Sequence, residues 1–103
     1  MYTPLLSCVK IAPSPIHGNG IFARQSLPNE VSLGLSHIYD ESFPDNLIRT
    51  PLGGFINHSD EPNCELYRLG RFLFVQAMRK IDAGEEITLK YGRTKTLFEA
   101  PVA

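Results

Sequence analysis

Prolines and glycines interrupt this chain so often that long helices are excluded. The 103 residues include eight prolines and eight glycines. No segment between them keeps a helical period over the roughly 10 to 12 residues that would indicate an ordinary helix. The best position for a helix lies between Pro44 and Pro51, where one helical turn or a little more fits. The sequence therefore predicts a mostly β fold of short strands with little helix.

The segments between these interruptions are apolar and β-prone. In residues 31–35 apolar and small polar residues alternate, which is typical of a half-buried strand. Two further segments meet at Gly70 and predict a hairpin. The predicted strands cover residues 5–11, 21–23, 31–35, 64–69, 71–78 and 86–91.

One stretch of the chain is echoed later in the sequence. Residues 23–33 (ARQSLPNEVSL) resemble residues 77–89 (AMRKIDAGEEITL), and both run from a strand through an acidic turn into a strand. Two similar half-units of this kind predict a compact, curved fold made of small sheets.

Length and composition indicate one globular domain that spans residues 1–103. Its hydrophobic content of 43% and charged content of 20% are ordinary for such a domain. The formal net charge is −1, without the basic excess that non-specific nucleic-acid binding requires. We therefore expect no direct contact with nucleic acid.

The cysteines and the N-terminus indicate the compartment. Cys8 and Cys64 are the only cysteines of the sequence, which gives neither a disulfide framework nor a four-ligand zinc site. No apolar run approaches the length of a membrane span. The N-terminus lacks the basic region followed by a long apolar run that is typical of a secretion signal. We expect a cytoplasmic protein that is neither secreted nor bound to a membrane.

The central stretch GGFINHSDEPNC, residues 53–64, is not explained by packing alone. Asn57, His58 and Ser59 place amide, imidazole and hydroxyl groups beside one bend, where they need hydrogen-bond partners if they are buried. One interpretation is a loop that caps itself, with His58 as an ordinary hydrogen-bonded histidine. The other is that a ligand or a second segment of the chain supplies the partners.

Three separated motifs share one explanation. They are GNGIFA at residues 18–23, FINHS at residues 55–59 followed by Pro62 and Asn63, and GEEITLKYG at residues 84–92. In this order they resemble the signatures of the SET-domain protein lysine methyltransferases. The resemblance covers residues 18–92 and leaves 93–103 as a C-terminal tail. It implies a β-clip-like fold of short curved sheets, in which the C-terminal segment passes beneath the Asn-His-Ser loop as a pseudoknot.

The resemblance also implies S-adenosylmethionine as the cofactor. Tyr91 matches the family's catalytic tyrosine, whose hydroxyl lies beside the transferring methyl group. Phe98, in the tail, is a candidate aromatic lid over the adenine or the lysine channel, with packing of the terminus as the alternative. Phe22, Phe55 and Ile56 are candidates for apolar walls of that channel, with a place in the core as the alternative. The residues implied to bind the cofactor are Gly18, Asn19, Gly20, Asn57, His58, Tyr91 and Phe98.

The implied function is transfer of a methyl group to a lysine ε-amine of a protein or peptide substrate, including histones. Asp60 stands where many members have a zinc-binding cysteine, and the downstream cysteine cluster is absent from the sequence. No metal site is therefore expected. Residues 40–51 are shorter than the insert from which the family builds much of its peptide groove, which puts substrate specificity in question.

Two other functions are compatible with these residues. The short insert favours a SET-like module that binds a peptide or partner and has lost efficient turnover. A metal-dependent hydrolase could use His58 and Asp60 with Glu85 or Glu86, although the spacing matches no known ligand pattern. A homodimer that completes the groove is left open, as is the nucleus of a host cell if the chain is viral.

Overall fold

The computed structural model describes residues 6–91, which form short strands packed around one core. This part of the chain contains eight strands, one 3₁₀ helix and one short α-helix. In chain order they are β1 (Val9–Pro13), β2 (Asn19–Ala23), β3 (Ser32–Tyr39), a 3₁₀ helix (Pro44–Asn46), β4 (Leu47–Arg49), α1 (Pro51–Phe55), β5 (Asn57–His58), β6 (Cys64–Leu69), β7 (Phe72–Ala77) and β8 (Glu86–Leu89). The prediction of a mostly β fold with little helix is confirmed.

The strands form two four-stranded sheets. The first has the order β1-β2-β8-β5 and the second the order β4-β3-β7-β6. Strand β8 lies between β2, which it meets antiparallel, and β5, which it meets in parallel. The C-terminal strand thus pairs with the central Asn-His-Ser stretch, which is the contact that the predicted pseudoknot requires.

The predicted hairpin is confirmed. Strands β6 and β7 pair antiparallel in continuous register from Cys64 opposite Ala77 to Leu69 opposite Phe72. Gly70 in the connecting turn has a φ of 62°, a left-handed conformation that glycine adopts at little cost. The alternating β7 side chains Leu73, Val75 and Ala77 are buried, so one face of this sheet forms part of the core.

The two echoed segments of the sequence are paired in space. Leu27 and Ile81, which occupy equivalent positions in the echo, exchange both backbone hydrogen bonds at 2.7 and 2.9 Å. The N–H of Glu30 donates to the carbonyl of Ala77, and the N–H of Gly84 donates to the carbonyl of Ala23, again at equivalent positions. The similar half-units are therefore related by an approximate two-fold arrangement at the centre of the fold.

Both half-units contribute to the hydrophobic core. Side chains from both sheets and from α1 form one buried cluster, which comprises Val9, Ile21, Ala23, Leu27, Leu33, Leu52, Ile56, Cys64, Val75, Ala77, Ile81, Ile87 and Leu89. The buried cluster includes Leu27 and Ile81 from the central pair. Strand β8 contributes Ile87 and Leu89, so its position between β2 and β5 is stabilised by burial as well as by hydrogen bonds.

The helical turn expected between Pro44 and Pro51 is present as a 3₁₀ turn, whereas the short α-helix was not predicted. The segment after Pro44 makes one 3₁₀ turn and then strand β4, while the α-helix lies at Pro51–Phe55, in the stretch interpreted as a loop. The Thr50 hydroxyl caps α1 by accepting from the N–H of Gly53, and Pro51 fits the first turn. A side chain at Gly53 would collide with the carbonyl oxygen of Ser36, so a glycine lets α1 pack directly on β3.

Two strand boundaries also differ from the prediction. The predicted strand 5–11 begins too early, because β1 starts at Val9 and continues to Pro13. Proline is tolerated there since β1 is an edge strand of its sheet. Strand β3 continues to Tyr39, past the predicted end at residue 35, because it pairs with β4 as well as with β7.

Candidate functional site

The central polar stretch obtains its partners from the C-terminal segment. Asn57 lies opposite Thr88 and His58 opposite Leu89 in the parallel pairing of β5 with β8. The pairing continues past β5, where the N–H of Ser59 donates to the carbonyl of Leu89 at 3.0 Å. A second chain segment therefore satisfies this loop, as one of the two interpretations of the sequence predicted.

The side chain of Asn57 faces the glycine turn between β1 and β2. Asn57 is 7% exposed. Its amide nitrogen lies 3.0 Å from the carbonyl oxygen of His17, 3.4 Å from that of Asn19 and 2.9 Å from a carboxylate oxygen of Glu86. All three are acceptors, so the nitrogen and oxygen of the amide are assigned unambiguously by their surroundings.

The sequence predicts Glu86 only as a possible metal ligand of the hydrolase alternative, and not as a neighbour of Asn57. Its register opposite Phe22 at the start of β8 brings it beside β2. The hydroxyl of Ser14 lies 2.8 Å from both of its carboxylate oxygens. The carboxylate is thus held between the Ser14 hydroxyl and the Asn57 amide. The GEE motif marks two adjacent glutamates, but only the strand register shows which one faces this turn.

The structure places Gly18, Asn19 and Gly20 around the same point. A Cβ atom at Gly20 would collide with the carboxylate of Glu86 and come within 3.2 Å of the Asn57 amide nitrogen. Gly18 has a φ of 47° and open space where a side chain would stand. Asn19 contributes its backbone carbonyl to the cluster. A glycine is therefore required at position 20 for close approach and favoured at position 18 by its backbone conformation.

His58 connects the central loop to Tyr91. The N–H of Tyr91 donates to Nδ1 of His58 at 2.9 Å, and Nε2 of His58 lies 3.0 Å from a carboxylate oxygen of Asp60. Because Nδ1 accepts a hydrogen bond, the ring proton is on Nε2 and is donated to Asp60. The imidazole thus has one defined tautomer.

Tyr91 is anchored at both ends of its side chain. Its hydroxyl donates to the carbonyl of Ile56 at 2.6 Å, and its ring centre lies 5.1 Å from that of His58. The residue is nevertheless 60% exposed, so its ring borders open space. Among the three candidate wall residues, Phe55 is partly exposed and Phe22 is half-buried, whereas Ile56 belongs to the core, the other place considered for it. Phe98 lies outside the described residues.

Asn63 fixes β8 in place beneath the loop. Its side-chain amide donates to the carbonyl of Glu86 at 2.7 Å and its side-chain oxygen accepts from the N–H of Thr88 at 2.9 Å. The asparagine is buried and uses both ends of its amide on one strand. It orients the backbone of Glu86 without facing the open part of the site.

The acceptors around Asn57 fit the amine end of an amino acid. Two carbonyl oxygens and one carboxylate oxygen lie within 3.4 Å of a nitrogen that has only two protons to donate. The carbonyl of Asn19, at 3.4 Å, is the least engaged. Acceptors of this kind suit an ammonium group such as the one on the methionine portion of S-adenosylmethionine.

Comparison with known proteins identifies the family. Residues 35–92, more than half of the chain, match the family model described as SET domain. The chain belongs to the SET-domain family. The matched region contains Asn57, His58, Glu86 and Tyr91, and it begins after the glycine turn at residues 18–20.

Relatives of this SET domain are named as histone-lysine methyltransferases. A Caenorhabditis briggsae protein named "probable histone-lysine N-methyltransferase set-23" is 42% identical over 57 residues, which cover 50% of this chain and 24% of that protein. Its Caenorhabditis elegans namesake is 44% identical over 59 residues, 52% of this chain and again 24% of the relative. The chain therefore spans about a quarter of the length of these relatives.

A solved structure shares the fold. The crystal structure of a Plasmodium falciparum protein, described as a candidate histone methyltransferase, matches with a TM-score of 0.65 at 22% sequence identity. The match covers 84% of this chain and 95% of the other. It confirms the predicted SET fold.

The glutamate beside Glu86 serves a different purpose. Glu85 forms an ion pair with Arg79 at 2.8 Å and accepts from the N–H of Asp82 at 2.9 Å. The hydrogen bond from Arg79, followed by that from the Asp82 backbone, lowers the pKa of the Glu85 carboxyl. Glu85 therefore braces the turn before β8 and points away from Asn57.

The arrangement does not favour the hydrolase alternative. Within residues 6–91, no three His, Cys, Asp or Glu side chains come close enough together to hold a metal ion. Burial raises the pKa of the Cys64 thiol to about 12, which keeps it protonated at neutral pH.

Within residues 6–91, no helix is long and apolar enough to cross a membrane.

Proposed function

We propose that this SET domain is an S-adenosylmethionine-dependent protein lysine N-methyltransferase, which acts on a lysine ε-amine of a protein substrate such as a histone. The single observation that carries the proposal is the joint anchoring of Tyr91 to His58 in β5 and to Ile56, the residue before β5. Its N–H donates to His58 and its hydroxyl donates to the carbonyl of Ile56. These bonds hold the phenol hydroxyl against the backbone of the residue that precedes Asn57.

Different residues bind the cofactor and orient the substrate. Asn57, with the carbonyls of His17 and Asn19, binds the amino-acid end of the cofactor. The bound cofactor supplies a methyl group on a positively charged sulfur, which an uncharged amine can accept. Tyr91 orients that amine, since a hydroxyl that donates to Ile56 keeps its own lone pairs for an incoming N–H. Orientation of this kind contributes roughly 7 to 11 kcal/mol in favourable cases.

The substrate lysine must lose its proton before it reacts. A free lysine side chain titrates near about 10.4 and is almost wholly charged at neutral pH. The exposed ring of Tyr91 offers apolar surface beside the amine. Apolar surroundings and a nearby positive sulfur both disfavour the ammonium form and lower the pKa of that amine.

Titration calorimetry tests the cofactor half of this proposal. S-adenosylmethionine should bind wild-type protein at one site, and Asn57→Ala should weaken that binding at least about tenfold, because several hydrogen bonds are lost together. Asn29→Ala, in the turn that precedes β3, is the matched control and should leave binding unchanged. Absence of binding at millimolar cofactor would overturn the proposal for this chain.

The alternative function is a peptide-binding module that has lost turnover. The observation that favours it is the compact 40–51 segment, which makes one 3₁₀ turn and strand β4 within a few residues. Such a short segment offers little surface for a substrate groove. Cofactor binding without methyl transfer to any protein substrate would support this alternative.

A further inference from the structure

The carboxylate of Glu86 lies in polar surroundings that the packing of β8 does not explain. Its carboxylate is half-buried and touches the Ser14 hydroxyl and the Asn57 amide. Among the described residues it forms no ion pair, whereas the adjacent Glu85 pairs with Arg79. A partly buried carboxylate whose hydrogen-bond donors are all neutral destabilises the fold. A contribution to stability therefore does not explain this side chain.

The contacts of Glu86 converge on one polar cluster. Its oxygen Oε2 lies 2.9 Å from the Asn57 amide nitrogen, which also faces the carbonyls of His17 and Asn19. Three acceptors share the two protons of that nitrogen, so the cluster has unused acceptor capacity and a negative charge. A ligand that brings a positive charge and additional N–H donors would satisfy both.

Ser14 holds the carboxylate in this position. Its hydroxyl lies 2.8 Å from each carboxylate oxygen, and it also accepts from the N–H of Ile16 at 3.0 Å. The loop between β1 and β2 is thereby tied to the first residue of β8. This contact joins elements that are 72 positions apart in the chain.

We propose that Glu86, held by Ser14, is the residue that selects for the ammonium group of the cofactor, by supplying the negative charge of the site and by fixing the amide of Asn57. Nδ2 of Asn57 donates to Glu86 and to the carbonyls of the glycine turn. The side-chain oxygen of Asn57, on the other side of the amide, is therefore available as an acceptor. This inference rests on the proposed function, since it concerns the binding of S-adenosylmethionine. It assigns a role to Glu86 in binding and positioning and not in methyl transfer.

The test compares two ligands that differ at the amino-acid end. S-adenosylmethionine carries the ammonium group, and 5′-methylthioadenosine lacks the whole amino-acid portion. Calorimetry with Glu86→Gln should show at least about tenfold weaker binding of S-adenosylmethionine, as expected when a hydrogen bond to a charged group is lost. Binding of 5′-methylthioadenosine should change less than twofold, because that ligand does not reach the cluster.

Glu85→Gln is the matched control, since it makes the same chemical change one residue earlier on a side chain that pairs with Arg79. It should leave the affinity for both ligands unchanged. Ser14→Ala is the second variant, and it keeps the charge of Glu86 while removing the hydroxyl that holds it. Its binding of S-adenosylmethionine should weaken about two- to fivefold, roughly the effect of one neutral hydrogen bond. Thermal denaturation of each unliganded variant establishes that it is folded.

The outcomes separate the two proposals. If wild-type protein and Glu86→Gln bind S-adenosylmethionine equally while Asn57→Ala binds it weakly, the role of Glu86 is overturned and the proposed function stands. If Glu86→Gln loses affinity for both ligands to the same degree, the residue supports the fold of the site and does not select for the ammonium, which also overturns the inference. If wild-type protein binds neither ligand, the proposed function fails and this inference fails with it.

Discussion

The backbone N–H of Tyr91 donates to Nδ1 of His58 at 2.9 Å, so Tyr91, two residues beyond the end of β8, is bound to the side chain of the last residue of β5. The same imidazole donates from Nε2 to Asp60. The imidazole of His58 therefore fixes the backbone of Tyr91, whose hydroxyl donates to the carbonyl of Ile56. The consequence is that the imidazole of His58 should affect methyl transfer more than cofactor binding.

Replacing His58 tests this division directly. His58→Ala removes the acceptor for the Tyr91 N–H, and we expect the transfer rate to fall at least about tenfold, since misplacement of a positioning group is costly. Affinity for S-adenosylmethionine should change by less than about threefold. His58→Asn is the matched variant, because its side-chain oxygen can take the place of Nδ1 and should restore part of the rate. Steady-state kinetics would show a kcat effect; a change confined to KM for the cofactor would contradict the assignment.

His37 should make the stability of the fold depend on pH. It is 6% exposed, and because Ser36 donates its hydroxyl proton to Leu73, the Nδ1–H of His37 donates to Ser36. Burial, followed by the charge of Arg49, lowers the pKa of His37 to about 4. The folded pKa lies below the unfolded value of about 6.5, so the unfolded state binds more protons between these values. This contribution to stability is present above about pH 6.5 and is lost as the pH falls towards 4.

Urea denaturation followed by circular dichroism measures this effect. We expect about 2 kcal/mol of His37-linked stability to be lost between pH 7.5 and pH 5. His37→Asn keeps a neutral donor for Ser36 and should lack that part of the pH dependence. Equal pH dependence in the two proteins would show that His37 titrates normally in the fold.

The echoed turns give a prediction about backbone conformation. Glu30 and Gly84 stand at equivalent positions of the two half-units, and both have positive φ, 69° and 90°. Gly84→Ala should destabilise the protein by about 1 kcal/mol, because a side chain in this region is strained. Glu30→Gly should be neutral or slightly stabilising, since relief of strain offsets the entropy of glycine. Thermal unfolding of both variants checks this; a destabilisation of Glu30→Gly as large as that of Gly84→Ala would argue against equivalent turns.

The two thiols should differ in reactivity. Burial raises the pKa of Cys64 to about 12, and Cys64 is 1% exposed, whereas Cys8 is half-buried near the start of β1. Only the thiolate reacts quickly, so a disulfide reagent should modify Cys8 in the native protein and Cys64 only after unfolding. Cys8→Ser should then show almost no reaction until denaturant is added. Rapid modification of that variant under native conditions would contradict the burial of Cys64.

The features predicted from sequence were those specified by local patterns. Gly70 between two apolar segments specifies the β6–β7 hairpin. The echo predicts two similar half-units, but the pairing of Leu27 with Ile81 is seen only in the structure. The short helix was not predicted, because Gly53 and Gly54 are poor helix formers. It exists because Thr50 caps it and because a glycine at position 53 admits the carbonyl of Ser36. Those causes depend on tertiary contact and leave only the Thr-Pro pair as a local sign.

In the candidate site too, residues in local motifs could be predicted and those that depend on tertiary contact could not. Asn57, His58 and the glycines at 18 and 20 belong to motifs and could be named from the sequence. The structure brings Asn57 to the glycine turn, whereas the side chain of His58 contacts Asp60 and Tyr91. Glu86 could not be separated from Glu85 by sequence, since both are acidic residues of one motif. The register of β8 against β2 decides that Glu86 faces Asn57 while Glu85 pairs with Arg79.

The most direct test of the central proposal is transfer of a radiolabelled methyl group from S-adenosylmethionine to purified histones, with the modified residue identified by amino-acid analysis. We expect methyllysine with wild-type protein and a loss of at least about a hundredfold with Tyr91→Phe, since a removed orienting group can cost that much. Tyr67→Phe, in strand β6, is the control and should keep its activity. Label on no lysine of any histone, from a protein that binds the cofactor, would contradict histone methylation and favour the binding module.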